Sequence, residues 1–181
     1  MGADNVVTLQ RGTPGFEGML VPTDGSALSI AAALKAVEFA RRLQVRIVAF
    51  HSIPDYRYPV YLGGIPFEYP SEADYQTQCR VIAERYLELV VNAAQARGVV
   101  ASKRIEFNSA LAQAILDAAK HENCSMIFMG SHGRGGLSRV FLGSVTLKTL
   151  TLAQMPVIVD RPTPGEIAEA EEQMRRSAIE P

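Results

Sequence analysis

The sequence predicts an α/β fold: a single doubly wound domain on a five-stranded parallel sheet. Five short apolar runs recur along the chain, separated by stretches with apolar residues at helical spacing. The second run, residues 45–50 (VRIVAF), is apolar nearly throughout, as a strand covered by helices on both faces requires. A length of 181 residues with 48% hydrophobic content suits one such core and is short for two.

Each element has its own signal. After a flexible leader over residues 1–17, residues 19–21 (MLV) form the first strand, which ends at Pro22-Thr23-Asp24-Gly25-Ser26. Ile30, Leu34, Val37 and Ala40 mark the first helix. Ser26 or Asp24 would cap it, and Arg41 and Arg42 suit the negative end of its dipole. After the second strand, residues 53–78 interleave six Pro and Gly residues with Tyr56, Tyr58, Tyr61, Phe67 and Tyr69, and hold neither period. An aromatic connection of that length reads as a lid over a site or a patch for a target protein. A helix over 74–96 follows, with Ile82, Tyr86, Leu89, Val90 and Ala93 inward and Gly98 closing it. The third strand, 99–107, carries Lys103 and Arg104, which suggest a sheet edge. Asn108 and Ser109 start a helix that turns Leu111, Ile115 and Ala118 inward, and residues 126–129 (MIFM) form the fourth strand. A helix near 144–153 and a fifth strand over 156–159 (PVIV) complete the alternation. Thr163-Pro164-Gly165-Glu166 combines a capping threonine, a helix-opening proline and a glutamate three residues on. It predicts a short charged helix over 164–176 in a tail of residues 161–181. The thin stripe of Ile167, Ala170 and Met174 is expected to add little to the core.

Composition narrows the function. With 18 basic and 19 acidic residues and no tryptophan, the chain offers neither a basic field nor a stacking platform, so nucleic acid is not expected as a partner. Cys79 and Cys124 lack CxxC spacing and read as reduced thiols of a cytoplasmic protein. The N-terminus lacks a signal-peptide pattern, Val6 stands where a myristoylation signal needs Ser or Thr, and no apolar run reaches membrane-spanning length. No membrane association is expected.

Two strand ends carry the chemistry. Parallel sheets take ligands beyond the carboxyl ends of their strands, where the winding reverses. One such end is Pro22-Thr23-Asp24-Gly25-Ser26; the other is Gly130-Ser131-His132-Gly133-Arg134-Gly135-Gly136. Four glycines in seven residues let backbone N–H groups approach anionic oxygens, and Gly143-Ser144 adds a helix opening suited to phosphate. The pattern is neither GxxxxGK[ST] nor a GxGxxG after the first strand. On its own it is either a phosphate cradle or a tight loop whose glycines solve packing.

The chain resembles the universal stress protein family from about residue 18 to residue 160. Glycine, two residues, glycine, nine residues, glycine, then serine is met by Gly130, Gly133, Gly143 and Ser144. The strand leading into Pro-Thr-Asp-Gly-Ser, the strand ending Phe50-His51, the run from Met129 to Gly133 and the closing PVIV also match. The resemblance implies a Rossmann-like sheet of order 3-2-1-4-5, of the adenine nucleotide alpha hydrolase type, and a protein that binds ATP, ADP or AMP, with Mg as an accompanying metal. It implies that Asp24 contacts the ribose or adenine side, with Pro22 and Thr23 beside it. Ser52 stands where the family usually places an aliphatic wall for adenine. Met129 and Gly130 would lie under the nucleoside. Gly133, Gly143, Ser144 and Val145 resemble the phosphate-binding positions, His132 sits inside that loop, and Arg134 and Arg139 are candidates for neutralising phosphate. The family also implies a homodimer through the edge strand of Val157, Ile158 and Val159.

Several residues are set aside. No acid or nucleophile pairs with His51 to build a triad, so a structural hydrogen bond is expected there. A metal pair of His51 and His132 lacks a third ligand. His121 suits a helix end, and Cys124 reads as a small core residue. Neither a P-loop lysine nor paired metal carboxylates stand out, so hydrolysis is expected to be slow at most. The competing expectation is a dimeric adaptor with a vestigial nucleotide site, which contacts a target through residues 53–78 and the tail.

Overall fold

The computed structural model describes residues 17–57, 70–133 and 142–179. In chain order the elements are β1 (Gly18–Pro22), α1 (Ala27–Leu43), β2 (Arg46–Ile53), α2 (Glu72–Gln95), β3 (Ala101–Phe107), α3 (Leu111–His121), β4 (Met126–Gly130), α4 (Ser144–Leu152), β5 (Val157–Asp160) and α5 (Pro164–Ile179). The sheet order is β3-β2-β1-β4-β5 and every pairing is parallel. The strand order and architecture are those expected. The chain leaves β1 toward β2 and β3, then returns to the other side of β1 for β4. The reversal therefore falls at the carboxyl ends of β1 and β4.

Burial follows the two-residue period of a strand. Met19 and Val21 belong to one core cluster, shared with α1, α2 and α5, while Leu20 belongs to the other, with α3. Met19, Leu20 and Val21 are at most 1% exposed, which is why this strand has no polar alternation.

The caps explain the helix starts. Ser26 caps α1 by accepting from the Ser29 N–H at 3.2 Å. The α2 helix begins two residues before the expected 74, because Ser71 and Asp74 form a reciprocal capping box. With β2 running to Ile53, the irregular connection narrows to residues 54–71, and its aromatic residues 58–69 lie outside the described region. Leu89, Val90 and Ala93 of α2 are buried as expected, but in its first half Ala83 and Leu87 face the core, whereas Ile82 is 47% exposed and Tyr86 half-buried. Adjacent stripes satisfied the same period, and packing on β2 and β3 chose between them.

The tail departs most from expectation. α5 runs to Ile179, and Ala170 at its centre is wholly buried in the α1-side core, with Ile167 and Met174 packed against the same cluster. Lys35 of α1 bridges Asp160 at 3.1 Å and Glu166 at 2.8 Å. Glu166 in turn accepts from the Thr163 N–H and hydroxyl, closing the capping box expected there. Lys35 and then Thr163 hold the Glu166 carboxyl down at about 2. A depressed carboxylate stabilises the fold above its unfolded value and loses that contribution as pH falls through the folded value. Amide protection factors over residues 167–174, taken against the intrinsic exchange rate at each pH, should thus hold down to about pH 4.5 and fall toward about pH 2. Lys35→Met should quicken the same amides at neutral pH, and Ala170→Leu should cost about 1–3 kcal/mol by overpacking, read from denaturant midpoints.

Candidate functional site

The end of β1 is a hydroxyl-rich turn. The Thr23 N–H donates to the Phe50 carbonyl at 2.9 Å, so the chain stays attached to β2 one residue beyond the strand. The buried Thr23 hydroxyl pairs with that of Ser29 at 2.7 Å and accepts from the Gly25 N–H at 3.1 Å. Asp24 Oδ1 accepts from both the amide and the hydroxyl of Ser26 at 3.0 and 2.7 Å, which fixes the carboxylate beside the start of α1. Gly25 has φ +77°, and a Cβ there would enter the Tyr86 ring. His51 Nδ1 lies 2.7 Å from the Thr23 carbonyl. A carbonyl only accepts, so that nitrogen carries the proton, as the expected structural role requires.

The glycine-rich strand end is pinned from both sides. The Ser131 N–H donates to the Asp160 carbonyl at 2.7 Å, and the Gly143 N–H donates to the Ser131 carbonyl at 2.9 Å. The Thr146 hydroxyl donates to the Gly130 carbonyl at 3.0 Å. These bonds draw the opening of α4 back onto the end of β4. Gly143 is the N-cap, and among the described residues no side chain caps the first turn of α4, whose N–H groups face the crevice end of β4. Close approach explains two of the glycines. A Cβ at Gly133 would overlap Asp24 Oδ2, and one at Gly130 would lie 2.9 Å from Leu28. Gly133 thus sits directly against the Asp24 carboxylate beyond the end of β1.

The two strand ends share one crevice of about 630 Å³. Pro22, Thr23, Asp24, Ser52, Met129, Gly130, His132, Gly133, Gly143, Ser144 and Val145 all line it, while Arg134 and Arg139 lie outside the described residues. His132 Nδ1 approaches the Ser131 hydroxyl at 3.1 Å, and its buried Nε2 finds no partner among the described residues. Sequence reasoning missed Ser29, Phe50, His51, Pro54, Leu111, Ile115, Leu142 and Thr146 as lining. Leu111 and Ile115 read only as core positions in the sequence, though their i, i+4 spacing already places both on one helix face. The Ser52 hydroxyl donates to the Asn108 carbonyl at 2.9 Å, so it serves the chain at its departure from the family pattern. Cys124 lies outside the crevice, and burial pushes its thiol up to about 11. Among the described residues no group of three or more His, Cys, Asp or Glu is placed to hold a metal ion.

Fold and crevice together define a switch-point site at the carboxyl ends of β1 and β4. A model of the universal stress protein family matches residues 15–161, and the chain belongs to that family. It is 34% identical over 151 residues to Universal stress protein Rv2005c of Mycobacterium tuberculosis, covering 82% of this chain and 46% of the relative. The chain thus spans about half the length of that relative. It is 30% identical over 150 residues to Universal stress protein YxiE of Bacillus subtilis, covering 81% of this chain and 99% of the relative. It shares the fold of the universal stress protein from Archaeoglobus fulgidus solved in complex with dAMP. There the TM-score is 0.57 at 20% identity, covering 80% of this chain and 97% of the other. No helix among the described residues is long and apolar enough to cross a membrane.

Two glycines separate backbone strain from steric exclusion. Gly98 has φ +70°, and a Cβ added there would meet nothing within 4 Å, whereas one at Gly25 meets Tyr86. Gly98→Ala should cost roughly 1–2 kcal/mol, the left-handed penalty alone. Gly25→Ala should cost clearly more in a denaturant titration, and Tyr86→Ala should recover part of the excess.

Proposed function

We propose that this protein is a cytoplasmic nucleotide-binding regulator that holds ATP, or ADP or AMP, across the ends of β2, β1 and β4. The observation that carries this is the seating of Gly133 on Asp24, with the uncapped opening of α4 in the same crevice. It brings a ribose acceptor and a backbone phosphate cradle together around one ligand. Asp24 takes sugar hydroxyls, and the backbone at Gly133, Gly143, Ser144 and Val145 takes phosphate oxygens, with the Ser144 hydroxyl as a further donor. The His132 ring stands by with an Nε2 that has no partner among the described residues. The dAMP complex of the Archaeoglobus fulgidus protein supports an adenine nucleotide at such a site. Magnesium bound with the phosphates would neutralise their charge.

Retention is favoured over turnover. The buried Cys124 thiol lies outside the crevice and is far from a nucleophile's range. The bound nucleotide therefore acts as a switch of conformation or partner choice, with slow hydrolysis at most. Isothermal calorimetry with ATP and ADP, with and without Mg²⁺, should show binding, and Gly143→Val should weaken it at least about tenfold by intruding on the cradle. Absence of adenine-nucleotide binding in every condition would overturn the assignment.

A dimer accompanies this function. Among the described residues β5 is an edge strand paired only with β4, and Val157, Ile158 and Val159 are incompletely buried. Leu147, Leu150 and Leu152 of the neighbouring α4 are 37–55% exposed, which extends the apolar surface beyond the strand. We infer a symmetric pairing of two copies through this edge. Light scattering should report twice the chain mass, and a monomer at every concentration would refute it. The adaptor alternative, with residues 53–78 contacting a target protein, is favoured instead if a specific protein co-purifies and nucleotide does not.

A further inference from the structure

The crevice has an apolar side that none of the phosphate or ribose positions explains. Pro54, at the exit of β2, lines it together with Leu111 and Ile115 of α3. In the strand order, β2 and β4 flank β1, so Pro54 and the glycine run lie on opposite sides of Asp24. Two inter-strand spacings separate them, roughly 10 Å, enough for base, sugar and first phosphate to lie in sequence. With phosphate at β4 and ribose at β1, the base falls against the Pro54, Leu111 and Ile115 wall.

The wall is not part of a regular element on its β2 side, so something must hold it. The sheet ladder ends at Ile53 and Phe107, yet the two strand exits stay joined beyond it. The Asn108 N–H donates to the Ile53 carbonyl at 2.8 Å. The Asp55 N–H then donates to the Ser109 hydroxyl at 3.0 Å, and the Ser109 N–H donates back to Asp55 Oδ2 at 2.9 Å. The Tyr75 hydroxyl of α2 donates to the Pro54 carbonyl at 2.9 Å from the other direction. Ser109 stands two residues before Leu111, and the helix opening at Ala110 has no side-chain cap of its own. The Asn108 side chain instead turns the chain by accepting from the Ala110 N–H at 2.8 Å. Pro54 and Leu111 thus each stand within two residues of one half of a reciprocal two-bond link.

We propose that Asp55 and Ser109 are positioning residues that hold the Pro54, Leu111 and Ile115 wall against the face of the nucleobase, and so set base affinity without touching the ligand. This rests on the nucleotide-binding function above. The chemistry it selects is a flat aromatic base packed by apolar contact, because the Ser52 hydroxyl, which lines the crevice beside this wall, is spent on Asn108. The Ser109 hydroxyl and amide hold the Asp55 carboxyl below its ordinary range, in keeping with an ionised acceptor at neutral pH.

The link is tested by separating base from phosphate. ATP and inorganic triphosphate are titrated by calorimetry into the full chain, into Asp55→Ala and Ser109→Ala, and into Ser109→Thr, which keeps the hydroxyl. Loss of one such bond should weaken ATP by about fivefold in the two alanine variants, with Ser109→Thr restoring it and triphosphate affinity unchanged throughout. Leu111→Ala should weaken ATP and spare triphosphate in the same way. In the ligand-free alanine variants, hydrogen exchange over residues 109–112 should quicken. Unchanged ATP affinity, equal loss for both ligands, or unchanged exchange would overturn the proposal. If the unaltered chain binds neither ligand, the nucleotide function itself fails, an outcome distinct from a binder whose variants behave alike.

Discussion

The structure depends on β1 being held on both sides at once. It pairs in parallel with β2 and with β4, and its side chains are buried on both faces. A strand in that position has no freedom to shift in register, because a one-residue slip would exchange Met19 and Val21 with Leu20 between two cores. Its carboxyl end is therefore a fixed point. Thr23 extends that rigidity past the sheet by bonding to β2 through its amide, to His51 through its carbonyl and to Ser29 through its hydroxyl. Asp24 follows, already oriented by Ser26.

Everything else in the crevice is referred to that point. Gly133 is brought onto the Asp24 carboxylate, and the Ser131, Gly143 and Thr146 hydrogen bonds fold α4 back over β4. Such a site is pre-organised by backbone geometry rather than by long side chains, which limits the entropy lost when a ligand binds. The same economy shapes the tail. Asp160 anchors Ser131 through its carbonyl while its carboxylate meets Lys35, so one residue touches both the glycine run and the bridge to α5.

Much of the fold was legible in the sequence because burial on both faces writes continuous apolar strands, and helices write their period and caps. Thr163 and Glu166 predicted their own capping box. The sequence also singled out residues that the fold brings together: the glycines at 130, 133 and 143 and the Pro22 to Asp24 turn all reach one crevice. Legibility failed where a choice depends on a neighbour. Ile82 and Ala83 fit a helical stripe equally well until α2 is laid on β2 and β3. Ala170 looked too small to matter, yet a small side chain is what allows α5 to sit closely on α1.

By itself the sequence determined the class of fold, the family and the glycine-rich strand end, because periodicity and glycine spacing are local properties of the chain. Only the tertiary structure decided which strand ends meet, that Asp24 and Gly133 touch, and that α3 supplies an apolar wall through Leu111 and Ile115. Those are contacts between segments far apart along the chain. Their distance is fixed by sheet order and helix packing, and no local pattern encodes it.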